Sequence, residues 1–200
     1  MGKSRIEAFT DAIIAIVMTI MVLEIHAPET STFKGLWGIR DSLSIYAFSF
    51  FVLSVYWINH HHLFSIVHKV SGRVIWLNMI LMFFLSFFPF TSAWVLEGGH
   101  FAAKAPELTY GTVILLANII WALMVQDLIR VNGKQSLIGK SLGADYNKPF
   151  ISIGMAALAV VIGIYVPLAV FAIDGLMFLL WIVPEKRIER TLQNNKKEDD

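Results

Sequence analysis

The chain has 200 residues, of which 56% are hydrophobic and 16% are charged, and its net charge is +1. Soluble domains carry about 25% charged residues, so this composition excludes an ordinary soluble domain, and its hydrophobicity excludes a disordered chain. A nearly neutral chain lacks the clustered excess of Lys and Arg that nucleic-acid binding needs. The absence of Cys from the sequence excludes disulfide scaffolds, thiolate zinc sites and cysteine nucleophiles.

Apolar segments long enough to cross a membrane follow one another along most of the chain. About 20 residues of helix cross a hydrocarbon core of roughly 30 Å. The last apolar stretch, from Phe150 to Val183, would be about 51 Å long as one helix, and Pro167 with Gly163 predicts a break in it. We therefore predict an all-α integral membrane domain at residues 1–184, a charged tail at 185–200, and six spans at about 6–25, 43–67, 74–96, 108–131, 150–166 and 167–183.

Basic residues are distributed unequally between alternate loops. Thirteen Lys and Arg lie on the side of the two termini and three on the other side. Because positive charge is retained on the cytoplasmic side, this asymmetry predicts that both termini are cytoplasmic. The first apolar run also resembles part of a signal peptide, but cleavage after Ala27 would place Glu24 and Ile25 where small residues are needed. A retained first span is the favoured interpretation.

Polar and ionisable side chains cluster near the predicted inner ends of the first three spans. Arg5 and Asp11 flank the start of span one, His60 and His61 lie near the end of span two, and Asn78 lies in span three. Ionisable groups at membrane depth are costly and are functional candidates. We expect these clusters to meet at one depth, and a role in locking helices together is favoured over a direct role in transport.

A metal site or an enzymatic site is disfavoured by the same residues. Three consecutive His residues begin at His60, but successive helical residues point about 100° apart, whereas helical metal ligands recur at i and i+4. The sequence also lacks a nucleophile elbow, a phosphate loop and an HExxH motif. No metal, cofactor or enzymatic activity is therefore predicted.

The first span has an apolar ridge on the side away from Asp11. With Asp11 set at zero, Ile16 lies at about 140°, Ile20 at about 180° and Leu23 at about 120° around the helix. Thr19, at about 80°, lies beside the ridge. The ridge could face lipid, or it could face a pore.

Residues of the first three spans resemble a known family. The segment Arg5-x-x-x-Phe9-Thr10-Asp11 is similar to the RxxxFSD signature of the transmembrane protein 175 family of lysosomal potassium channels, in its single-repeat prokaryotic form. Thr10 replaces the Ser of that signature and keeps its hydroxyl. The similarity extends to three further segments, which are Val22-Leu23-Glu24-Ile25, Tyr56-Trp57-x-x-His60-His61-x-Leu63-Phe64, and Trp76-Leu77-Asn78 with Pro89-Phe90.

The resemblance implies a homotetramer of six-span subunits around a central pore that the first span lines. It implies a hydrophobic constriction, and the corresponding residues here are Ile16, Ile20 and Leu23. Thr19 is placed adjacent to the pore by its helical angle alone, and its hydroxyl could either bond the Ala15 carbonyl or approach the pore. No carbonyl filter of the TVGYG type is present in the sequence, which is consistent with such a constriction. The family's structural polar network corresponds to Arg5, Thr10, Asp11, Asn78 and either His60 or His61.

These observations together predict a moderately selective, potassium-permeable cation channel in the inner membrane of a prokaryote. Its expected partners are its own copies and the lipid bilayer, and potassium is the expected permeant ion. The alternative is a proton-coupled secondary transporter that uses Asp11 and the His cluster. Such carriers are typically built from two inverted halves with helices broken at matching positions, and the sequence shows one such break, at Pro167. A membrane protein without transport activity is a third interpretation.

Overall fold

The computed structural model describes residues 2–97, 103–143 and 146–182. The charged tail predicted at 185–200 lies outside the described residues. Within the described ranges the chain forms helices α1 (Lys3–Leu23), α2 (Phe33–Gly38), α3 (Arg40–Ser65), α4 (Gly72–Leu85), α5 (Phe88–Glu97), α6 (Lys104–Asn132), α7 (Leu137–Ser141), α8 (Lys148–Gly163) and α9 (Ala169–Ile182).

Four helical segments are long and apolar enough to cross a membrane. They are Lys3–Leu23, Arg40–Ser65, Gly72–Glu97 and Lys104–Asn132, and they occupy the positions predicted for the first four spans. The shorter apolar helices Lys148–Gly163 and Ala169–Ile182 occupy the region predicted for spans five and six. The regular structure of the described residues is therefore all helical, with four segments suited to cross a membrane, and the crossing of the membrane by α8 and α9 remains a prediction.

Two breaks interrupt the apolar segments, and a proline lies close to each. The break predicted near Pro167 is present, because α8 ends at Gly163 and α9 begins at Ala169. A second break, which the sequence did not lead us to expect, separates α4 from α5. Proline removes a helical N–H, and its ring clashes with the carbonyl four residues earlier. The residue four positions before Pro89 is Leu85, which is the last residue of α4.

The helices of the described residues pack against one another as one connected bundle. Helix α1 packs against α3, α4 and α5, while α6 packs against α4 and α8, and α8 packs against α9. The residues that α1 buries recur at helical spacing along one stripe, as expected for a helix with one face in the core. They are Ile6, Thr10, Ile14, Val17 and Met21.

Candidate pore-lining face and polar network

The opposite face of α1 is exposed in the single subunit. Ile16 is 53% exposed, Ile20 is 41% exposed and Leu23 is 78% exposed. These three side chains recur at intervals of four and three residues, so they form one ridge along the helix. The structure therefore places the predicted ridge on the face of α1 that the rest of the subunit leaves uncovered.

Thr19 lies on the same exposed face, beside the ridge. Its hydroxyl is 2.8 Å from the carbonyl oxygen of Ile16 and 3.0 Å from that of Ala15, to which it can donate. A threonine hydroxyl has one proton and two lone pairs, so a hydroxyl that donates to the backbone keeps acceptor capacity toward the exposed side. Thr19 thus presents an acceptor oxygen beside the apolar side chains of the ridge.

A buried network joins α1, α3 and α4 on the other side of α1. Thr10, His60 and Asn78 are each at most 2% exposed. The amide nitrogen of Asn78 donates to the Thr10 hydroxyl at 3.0 Å, and His60 Nε2 lies 2.9 Å from the amide oxygen of Asn78. An amide oxygen only accepts hydrogen bonds, so this geometry requires the proton of His60 on Nε2. Two hydrogen bonds therefore connect α1, α3 and α4.

Asp11 is attached to α3 by a separate contact. Its carboxylate accepts a hydrogen bond of 2.8 Å from the indole nitrogen of Trp57. The Trp57 ring in turn stacks on His61, with 6.4 Å between ring centroids. Arg5 and Asp11 are both exposed, and no ion pair joins them in the part of the chain that the structure describes.

The structure thus brings three of the predicted network residues, Thr10, His60 and Asn78, into direct contact. Of the two histidines between which the sequence left the choice open, His60 bonds Asn78, whereas His61 is exposed. Trp57 was not predicted as a member of the network. Its position one helical turn before His61 was the signal available in the sequence, because residues i and i+4 share a face.

Metal binding finds no support in the described ranges. Within residues 2–97, 103–143 and 146–182, no group of three or more His, Asp or Glu side chains is placed to hold a metal ion. The triple-histidine segment follows the helical geometry, so neighbouring rings diverge. His60 bonds Asn78 inside the subunit, while His61 faces outward against Trp57.

Comparison with known proteins identifies relatives over the whole chain. The family described as endosomal/lysosomal potassium channel TMEM175 matches residues 5–89, which include the ridge and the polar network. A potassium channel of Chryseobacterium sp. (strain P1-3) is 37% identical over 195 residues, which cover 98% of this chain and 100% of that relative. The endosomal/lysosomal proton channel TMEM175 of Homo sapiens is 26% identical over 64% of this chain and 25% of the human protein.

A solved structure shares the fold. The crystal structure of a lysosomal potassium-selective channel TMEM175 homolog from Chamaesiphon minutus matches with a TM-score of 0.72 at 24% identity. The match covers 94% of this chain and 97% of that one. The named relatives are channels and not enzymes, which confirms the prediction that the chain has no enzymatic activity. The resemblance predicted from the signature residues is also confirmed, and the chain belongs to the TMEM175 family of cation-channel proteins.

Proposed function

We propose that the chain forms a moderately selective, potassium-permeable channel in a prokaryotic inner membrane, as a homotetramer with α1 lining a central pore. The exposed ridge of α1 is the observation that carries this proposal. The names of the bacterial relatives support potassium as the permeant ion. The exposure of Ile16, Ile20 and Leu23 supports the pore assignment, because each apolar side chain is available to meet its copies around a symmetry axis.

In this proposal four copies of the ridge form a constriction that has no ion-coordinating groups. From Ile16 to Leu23 the helix rises about 10 Å, so four copies would form three stacked apolar rings. Apolar rings cannot replace the hydration shell of an ion, and they act by narrowing the path and expelling water. Potassium holds its water less tightly than the smaller sodium ion, so partial dehydration favours potassium modestly. The acceptor oxygen of Thr19 would lower this barrier where it approaches the path.

The polar residues have a structural role in this proposal. The Thr10–Asn78–His60 contacts and the Asp11–Trp57 hydrogen bond anchor the inner half of α1 to α3 and α4. An anchored helix holds its ridge at a constant distance from the pore axis. Arg5 and His61 are exposed in the single subunit, and in this proposal they complete the network in the assembled channel.

The proposed subunit has six spans and cytoplasmic termini. Helices α8 and α9, with 16 and 14 residues, would be about 24 Å and 21 Å long. Both are shorter than a typical hydrocarbon core, a difference that local thinning of the bilayer can accommodate at modest cost. The domain at 1–184 then carries its charged tail at 185–200 on the cytoplasmic side.

Ionic current from the purified full chain in a planar bilayer tests this proposal. With potassium on one side and sodium on the other, we expect resolvable unitary currents whose reversal potential lies toward that of potassium. A protein-free bilayer is the control. Saturable electroneutral flux coupled to protons would instead identify a transporter, and currents carried by protons alone would contradict potassium permeation.

A further inference from the structure

A groove with a cationic rim lies between α4 and α6, near the first residues of α4. It has a volume of about 220 Å³ and is lined by Arg73, Leu123, Gln126, Asp127 and Arg130. The proposed topology places this end of both helices at the cytoplasmic surface of the membrane. The groove is therefore located where a side chain can meet a lipid headgroup.

The acidic residue of the groove is already engaged. One oxygen of the buried Asp127 carboxylate accepts a hydrogen bond of 2.8 Å from the Ser71 hydroxyl. The other lies 3.8 Å from Nε of Arg73. Two arginines, Arg73 and Arg130, therefore line the groove with one carboxylate, and the Arg73 side chain is 63% exposed. With two arginines and one aspartate the groove carries an excess positive charge, and guanidinium N–H donors suit the oxygens of a phosphate group.

An apolar path continues from this rim along α4. Trp76, Ile80 and Phe83 are exposed at intervals of four and three residues, so they extend along one face of the helix. Leu123 adds an exposed apolar side chain from α6. The cationic rim matches the phosphate of a phospholipid, and the apolar path matches its acyl chain. Basic pockets between spanning helices on the cytoplasmic side bind anionic lipid headgroups.

We propose that this groove binds an anionic phospholipid of the cytoplasmic leaflet, with its phosphate at Arg73 and Arg130 and an acyl chain along α4. Charge complementarity favours this occupant over a zwitterionic lipid, since the latter brings a cation next to two guanidinium groups. The site depends on the membrane orientation of the subunit and is independent of which ion permeates.

Native mass spectrometry of the full chain, titrated with phosphatidylglycerol in detergent, tests the site. Arg130→Gln is the first variant because it leaves both partners of Asp127 in place, and Arg73→Gln is then added. Each arginine lost should weaken phosphatidylglycerol binding about five-fold, and both together about 25-fold. The double variant Lys134→Gln with Lys140→Gln removes the same charge from the cytoplasmic loop outside the groove and should leave binding unchanged.

Further measurements distinguish the lipid from other occupants. Phosphatidylcholine should bind more weakly than phosphatidylglycerol, and its binding should not depend on either arginine. Soluble glycerol 3-phosphate, which has the phosphate but no acyl chain, should not compete. Equal weakening by the loop control, equal affinity for the two lipids, or competition by glycerol 3-phosphate would overturn the proposal. Dissociation of the oligomer by Arg130→Gln with unchanged lipid binding would also overturn it, by identifying the groove as a subunit interface.

Discussion

Replacement of Asn78 by leucine removes the centre of the buried network and keeps the number and branching of the side-chain heavy atoms. Two groups then lose their partner, the Thr10 hydroxyl and His60 Nε2. A buried polar group without a partner costs about 1–3 kcal/mol. Thr10 can recover a bond to the carbonyl four residues earlier in α1, whereas His60 has no such local acceptor. We therefore expect Asn78→Leu to lower the free energy of unfolding by about 1–3 kcal/mol.

Substitutions at Thr10 provide the comparison. Thr10→Val breaks one hydrogen-bonded pair, and such pairs within membrane proteins couple by about 0.6 kcal/mol on average. Thr10→Ser keeps the hydroxyl and is the control for the hydrogen bond, and its loss of one buried methyl should cost about 0.5–1.5 kcal/mol. Equilibrium unfolding in mixed micelles measures the free energy of unfolding of Asn78→Leu, Thr10→Val and Thr10→Ser. An Asn78→Leu variant as stable as the wild type would contradict the role of Asn78 at the centre of the network. A Thr10→Val variant less stable than Asn78→Leu would contradict it as well.

Two further predictions concern topology and helix packing. A single Cys at Lys134 should react with a membrane-impermeant reagent from the cytoplasm, and one at Lys104 from outside; the reverse pattern would contradict the six-span topology. Gly111→Ala should lower the thermal stability by the equivalent of about 1–3 kcal/mol, because its added Cβ would lie 2.7 Å from Val170 Cγ1. Gly154→Ala, where nothing lies within 4 Å of the added Cβ, should be neutral or stabilising by up to about 1 kcal/mol, and equal effects at the two sites would contradict the packing.

The exposed ridge of α1 was accessible from the sequence because it depends only on the geometry of one helix. The angles of Ile16, Ile20 and Leu23 follow from 3.6 residues per turn once the helix is identified. The spacing alone did not show whether the ridge packs inside the subunit, because that depends on which face meets α3, α4 and α5. In the structure Thr10, on the buried face of α1, contacts Asn78, so the ridge lies on the face that the subunit leaves uncovered.

The choice between His60 and His61 required tertiary packing. The two residues differ by about 100° around α3, and polar or aromatic neighbours are available to both. The rotation of α3 about its axis decides which ring meets Asn78, and many side-chain contacts together set that rotation. The second helix break escaped prediction for a different reason. Pro89 lies inside an apolar run that hydropathy marks as continuous, and the loss of one backbone hydrogen bond does not alter hydropathy.

The effect of Ile16→Asn on ionic current tests the assignment of the pore to α1. An amide in the constriction would hold water in the path, so we expect larger unitary current and more similar permeabilities for potassium and sodium. Leu158→Asn on α8 is the matched control, because Leu158 is 51% exposed against 53% for Ile16 and lies outside the proposed pore. We expect Ile16→Asn to change conductance and selectivity and Leu158→Asn to change neither. Unchanged conductance and selectivity in a folded Ile16→Asn channel would contradict the assignment of the pore to α1.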